Sequence, residues 1–161
     1  MGQRELLLTI GAIIIFSMTT LTVNELTLRN SDAIYRQQAE FVAIGEAQRF
    51  IEEAKTRAFD EKVINGRAVG ANSFTPPPLG PDAAEAYPNF DDVDDFVVAS
   101  LPDTISGIPM TVNITVDYVS EANLDLVVAA KTYYKKMVVT VTTPFLPSPV
   151  NAEYIFAYQK N

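Results

Sequence analysis

The chain has 161 residues, 48% of them hydrophobic, and a formal net charge of −8 at pH 7. It contains neither Cys nor His, which excludes disulfides, Cys/His zinc sites, thiol nucleophiles and any His general base. The acidic balance argues against nucleic acid and anionic membrane surfaces as partners. The length predicts one domain with an appendage, and the missing residue types favour a protein that is not an enzyme.

The N-terminal part of the chain is apolar. Residues 6–23, LLLTIGAIIIFSMTTLTV, contain no charge and no Pro. As a helix, this run would span roughly 27 Å, close to the hydrocarbon thickness of a bilayer. A secretory signal peptide is one rival interpretation, although it would need a shorter apolar core that ends in a small-residue cleavage site. A plain membrane anchor is another.

The helical pattern continues well beyond the apolar run. Residues 24–59 contain no Pro and a single Gly, and small or apolar side chains recur there at steps of three or four. The sequence therefore predicts one helix of about 55 residues, apolar on all sides over residues 1–23 and amphipathic over residues 24–59. The amphipathic stripe consists of Ala39, Ala43, Ala47, Phe50, Ala54 and Ala58.

Residues 60–88 break every helical or strand period, and residues 60–108 as a whole are predicted to form a surface loop region. Three consecutive Pro at 76–78 favour an extended segment, and nearby Gly and Pro residues mark turns. A loop of this length is either a contact between neighbouring subunits or a segment packed on its own domain.

An acidic cluster lies inside this loop region. Hard cations such as calcium take several oxygen ligands from a turning loop, so the cluster is a candidate calcium site, although it lacks the EF-hand spacing and the expected Gly. The alternative is an N-cap for a short helix through residues 96–99, because carboxylates favour helix starts. The four carboxylates are Asp91, Asp92, Asp94 and Asp95.

The C-terminal part of the chain predicts an antiparallel sheet. Residues 109–119, 133–143 and 152–159 alternate between apolar and polar side chains, which indicates strands with one buried face. Residues 120–131 either extend a strand or form a short helix. The predicted fold is α+β: a long N-terminal α-helix, apolar in its first half, packed on the small antiparallel sheet of a head domain at residues 109–161.

Glu5 stands at the threshold of the apolar run. A carboxylate at this place, followed by a long amphipathic helix and a small β-rich domain, resembles type IV pilins and the pseudopilins of type II secretion. The stretches NFDDVDDFVVAS at 89–100 and TYYKKMVVTVTT at 132–143 are also similar to segments of that group. In this family a prepilin peptidase cuts after a Gly, and the new N-terminal residue is methylated. Because Glu5 matches the family's glutamate only if Met1 is the first mature residue, we expect a processed chain without its leader.

Three features of this chain differ from the common pilin pattern, and one of them is Met1 in place of the common Phe. Many pilins carry a Pro near position 22, where this chain has Thr19, Thr20, Thr22 and Asn24. Side chains of these types compete for backbone hydrogen bonds and can loosen a helix. The C-terminal disulfide loop of many pilins cannot form without Cys.

The resemblance implies a structural subunit of a type IV pilus or pilus-like filament on a bacterial cell surface. Residues 1–23 would span the inner membrane before assembly and form the filament core afterwards, with Glu5 neutralising the terminal amine of Met1. The implied partners are copies of the chain itself, the inner membrane, prepilin peptidase and the pilus assembly machinery. A pseudopilin of a type II secretion system and a single-span anchored extracytoplasmic binding domain are the alternatives. The residues expected to pack in the filament core are Leu6, Leu7, Ile10, Gly11, Ile13 and Ile14.

Overall fold

The computed structural model describes residues 2–82 and 85–159. The chain divides into two compact units, one ending at Gln38 and one beginning at Ala39. The long helix α1 (Gln3–Lys55) supplies the regular structure of the first unit and the first element of the second. The predicted single helix is therefore confirmed.

Helix α1 ends a few residues earlier than the predicted boundary at residue 59. Its last turn tightens where the N–H groups of Thr56 and Arg57 bond to carbonyls three residues back. Ala58 then pairs with the acidic loop, because its N–H donates to the carbonyl of Asp91 and its own carbonyl accepts from Val93. This pairing takes residue 58 out of the helix.

The helix is continuous through the threonine-rich stretch of the first unit. The hydroxyls of Thr19, Thr20 and Thr22 each donate to the backbone carbonyl four residues back, at 2.9 Å. These hydroxyls thus share carbonyl acceptors with the backbone N–H groups of the helix, and they do not unwind it.

The second unit contains a five-stranded antiparallel sheet, which confirms the α+β class. The strand order is β1-β2-β4-β5, and β3 pairs with the far end of β2. Three strands coincide with the predicted runs, and β3 shows that residues 120–131 include a strand. The strands are β1 (Val98–Ile105), β2 (Ile108–Ser120), β3 (Asn123–Val127), β4 (Tyr134–Thr142) and β5 (Val150–Ala157).

Strand β1 corrects the prediction that residues 60–108 are all surface loop. The strand contains Pro102, a residue type that argues against a strand when only the sequence is considered. Pro is nevertheless tolerated at the edge of a sheet, and β1 is paired on one side, with β2. Ser106 and Gly107 form the connecting turn and both have positive φ, at 53° and 79°. Such values are typical of the two-residue turns that join hairpin strands.

The core of the second unit lies between α1 and the sheet. Ala43, Ala47 and Ala54 are fully buried against the sheet, and their small size lets the helix backbone approach the strands closely. Phe50 adds a large buried ring to the same stripe. The predicted loop region also enters this core through Phe90, Val93 and Phe96, so part of it is interior rather than surface.

Candidate functional site

The apolar segment of α1 is not covered by any other described residue of its own unit. An 18-residue window of the helix has a mean hydropathy of 2.2 and none of it is buried. By length and composition the helix can cross a membrane. An exposed apolar surface of this extent marks an interaction with lipid or protein.

The residues predicted to pack in a filament core are available for contacts. The exposed fractions of their five large side chains lie between 47% and 67%. Apart from its chain neighbours and the adjacent turns of its own helix, no atom of the described residues lies within 4 Å of the position that a Cβ would take at Gly11, so another helix can approach closely there. The five side chains are Leu6, Leu7, Ile10, Ile13 and Ile14.

Glu5 lies in the first turn of α1 and caps it. Its Oε2 accepts the backbone N–H of Gly2 at 3.1 Å, and its own N–H donates to the Gly2 carbonyl at 3.0 Å. A carboxylate in this position also favours the positive end of the helix dipole. The predicted partner of Glu5, the terminal amine of Met1, lies outside the described residues.

The structure does not bring the four aspartates into one cation site. One group of carboxylate oxygens within 4.8 Å of one another comes from Glu61, Asp91 and Asp92, and a second comes from Glu85, Asp91 and Asp95. Partial burial and the neighbouring Asp95 carboxylate raise the pKa of Glu85 to about 7. Asp91 is the exposed member of both groups, whereas Asp92 and Asp95 are buried. The predicted ligand Asp94 belongs to neither group.

The predicted cap is present, but the helix it was expected to start is only a turn. Asp92 Oδ1 accepts the backbone N–H groups of Asp94 at 2.8 Å and Asp95 at 3.2 Å. A single 3₁₀ turn, Asp94–Phe96, follows. The predicted helix over residues 96–99 is wrong, because β1 begins at Val98 and takes the backbone into the sheet.

A buried ion cluster, formed by Lys135, Asp60, Asp94 and Asp92, lies in the second unit. The Lys135 side chain is 0% exposed, and its Nζ lies 3.1 Å from Asp60 Oδ2 and 2.5 Å from Asp94 Oδ1. A third donation reaches the carbonyl of Phe59 at 2.7 Å. Three acceptors thus satisfy the three N–H groups of the ammonium, as a buried charge requires.

The sequence prediction missed Lys135, although its position carried a signal. Lys135 has the same strand parity as Met137, Val139 and Val141, and all four side chains are buried. A charged residue on the apolar face of a strand indicates a buried partner. Its partners could not be identified, because Asp60 and Asp94 are 75 and 41 residues away along the chain.

Asp60 is held by several donors at once. The backbone N–H of Lys62 reaches its Oδ1 at 3.0 Å, and that of Thr75 reaches its Oδ2 at 2.9 Å. The Tyr118 hydroxyl, which donates to the Thr75 carbonyl at 2.9 Å, lies 3.3 Å from the same Oδ2. Burial opposes ionisation of Asp60, but the Lys135 charge and these backbone donors outweigh it and hold its pKa below the usual value.

The other two carboxyl groups of the buried ion cluster behave in the opposite way. Burial raises the pKa of Asp94 despite the nearby Lys135 charge. Burial and the neighbouring carboxylates of Asp94 and Asp95 raise the pKa of Asp92 to about 8. The buried ion cluster therefore combines one ammonium, one carboxylate that favours the ionised form and two carboxyl groups that favour the protonated form.

Comparisons by sequence and by structure found no match to this chain among protein-family models, curated proteins or solved structures.

Proposed function

We propose that the chain is a structural subunit of a type IV pilus or pilus-like extracellular filament on a bacterial surface, polymerising through its N-terminal helix. The exposed apolar segment of α1 supports this proposal most directly. That segment begins just after a single carboxylate, Glu5, and the same helix continues into a folded α+β unit. Its partners are copies of the chain, the inner membrane, prepilin peptidase and an assembly machinery.

The energetics of assembly follow from the surroundings of the helix. Apolar side chains gain about 25 cal/mol per Å² when they leave water, but lipid already shelters them before assembly. Association among identical helices then depends on packing and on polar contacts, which contribute much less. A filament of this kind therefore needs external work from a dedicated machine to extract each subunit.

Glu5 makes the assembly selective for position. A carboxylate in an apolar environment is costly unless an opposite charge contacts it. A subunit in the correct axial register brings its terminal amine to Glu5 of a neighbour, whereas a subunit out of register leaves both charges unpaired. The pair thereby rejects misplaced subunits.

The test compares Glu5→Ala with Glu25→Ala in the producing cell. Glu25 is a matched control because it is an exposed carboxylate on the same helix, paired with Arg29 at 2.5 Å. We expect both variants to reach the membrane fraction, and only Glu5→Ala to lose filaments from the sheared surface fraction in electron micrographs. Normal filaments with Glu5→Ala would contradict the role of Glu5.

The same experiment separates the alternatives. A wild-type chain that stays in the membrane fraction as a monomer would indicate a single-span anchor with an extracytoplasmic binding domain, for which α1 is also long and apolar enough. Filaments that remain confined to the periplasm would indicate a pseudopilin of a secretion system.

A further inference from the structure

The buried ion cluster places an amine against a carboxyl group in a site closed to water. Lys135 Nζ lies 2.5 Å from Asp94 Oδ1, and the two side chains are 0% and 3% exposed. The rings of Phe59 and Tyr118 lie 4.5 Å and 5.3 Å from the same nitrogen. A condensation that releases water is favoured in such a dry site, because water is not available to reverse it.

The buried ion cluster holds one pair of opposite charges beside a neutral carboxyl group. The Lys135 ammonium pairs with Asp60, which is held ionised, and it also contacts Asp94, for which burial favours the protonated form. A single pair of buried charges in contact is less costly than an ammonium with excess carboxylates. Proton transfer from Lys135 to Asp60 removes this pair and leaves a neutral amine in contact with the neutral carboxylic acid of Asp94.

We propose that Lys135 and Asp94 condense in the folded protein to form an intramolecular isopeptide bond, with Asp60 as the base. The Lys135 ammonium first gives one proton to the Asp60 carboxylate. The Nζ lone pair then attacks Cγ of the protonated Asp94 carboxyl group and forms the C–N bond. Asp60 gives its proton to the departing hydroxyl and takes a second proton from the nitrogen, so that the C–O bond breaks and water leaves. An ammonium, a carboxylate and a carboxylic acid thus become an amide, one water and a protonated Asp60, with no oxidant or cofactor.

The hydrogen bonds assign the two carboxyl groups to different roles. Asp60 contacts the Lys135 nitrogen at 3.1 Å and is held as a carboxylate by the backbone N–H groups of Lys62 and Thr75, so it is suited to accept a proton. Asp94 favours the protonated form in which its carbonyl carbon is electrophilic. Asp92 accepts the backbone N–H of Asp94 at 2.8 Å and favours the protonated form, so it adds no charge beside the reacting groups.

The bond would tie the turn before β1 to the start of β4. It would close a loop between residues that are 41 positions apart in the chain, and such a link reduces the freedom of the unfolded state. The chain has no Cys, so this bond would give the head domain a covalent brace that disulfides cannot supply.

The test compares the denatured masses of two isomeric variants, Lys135→Arg and Lys136→Arg, each purified as the full chain in detergent. Lys136 is the matched control, because it points to the other face of β4 and pairs with Asp125 and Glu153 near the surface. The guanidinium introduced by Lys135→Arg cannot form the bond, whereas the Lys136→Arg variant retains Lys135. We expect the Lys135→Arg variant to be heavier by the mass of one water, and equal masses would overturn the proposal.

A peptide map gives the same answer if the Lys135→Arg variant does not accumulate. Digestion of the denatured wild-type chain should yield one branched peptide that contains both Lys135 and Asp94, and Asp94→Ala should yield none. Recovery of Lys135 with a free amine from the wild-type chain would overturn the proposal.

A separate experiment tests the role of Asp60, and it measures the crosslinked fraction of an Asp60 variant. Asp60→Asn keeps the shape of the side chain but removes the base, and a general base contributes on the order of 100-fold in rate. We expect Asp60→Asn protein to be mostly uncrosslinked at a time when the wild type is fully crosslinked. An unchanged crosslinked fraction would overturn the assignment of Asp60.

Discussion

The Asp92→Asn substitution tests the electrostatics of the buried ion cluster, because it should change how the free energy of unfolding depends on pH. The ordinary pKa of Asp92 is 3.8, and burial with the charges of Asp94 and Asp95 raises it to about 8 in the folded unit. Between these two values the folded state keeps a proton that the unfolded state has released. The free energy of unfolding therefore falls as pH rises, and the fall ends once both states are ionised.

The expected magnitude follows from the size of this shift. A single group changes the free energy of unfolding by about 1.4 kcal/mol per pH unit in this window, which amounts to roughly 4 kcal/mol between pH 5 and pH 8. Asn at position 92 keeps the carbonyl oxygen that accepts from the N–H groups of Asp94 and Asp95 and never ionises. The advantage of Asp92→Asn over the wild type should therefore grow by that amount from pH 5 to pH 8 and then level off.

Urea unfolding of the full chain in detergent, followed by the near-ultraviolet signal of tyrosine, measures this difference at each pH. Asp125→Asn is the control, because the Asp125 side chain is 86% exposed at the surface and lies outside the buried ion cluster. A difference between Asp92→Asn and the wild type that does not change from pH 5 to pH 9 would refute the assignment of a raised pKa to Asp92.

Three further substitutions test packing. Ala47 is 0% exposed, so Ala47→Leu should lower the free energy of unfolding by about 1–3 kcal/mol, whereas Leu in place of the exposed Gln48 should not. Thr143 Oγ1 is the one buried side-chain polar atom that lacks a hydrogen-bond partner among the described residues. Thr143→Val should therefore raise the free energy of unfolding by about 1 kcal/mol and move the urea midpoint to a higher concentration. A lower midpoint would contradict this prediction. Gly11→Leu should reduce filament yield without loss of membrane-bound protein, whereas Gly45→Leu should not, and equal yields would contradict close helix approach at Gly11.

Local patterns in the sequence determined the elements and their faces. The 3.6-residue period predicted the stripe of α1, whose members Ala39, Ala43 and Ala47 are buried. The two-residue period predicted the buried face of β2. Both periods depend only on neighbouring residues, because side chains repeat around a helix or alternate along a strand whatever the rest of the chain does.

Strand β1 and the acidic loop could not be predicted in the same way. β1 carries Pro102 and a weak alternation, so only its pairing with β2 shows that it is a strand. The four aspartates look equivalent in sequence, yet Asp94 turns inward to Lys135 whereas Asp92 caps a turn. The different roles of these aspartates depend on which group each carboxylate contacts in the folded chain.

The sequence by itself determined the long helix, its uncovered apolar half and the main strands of the sheet, since each follows from local periodicity and composition. Only the tertiary structure decided that Lys135 is buried between Asp60 and Asp94. The physical reason is that an unpaired charge cannot remain in an apolar interior, so the position of Lys135 depends on carboxylates brought to it from distant parts of the chain.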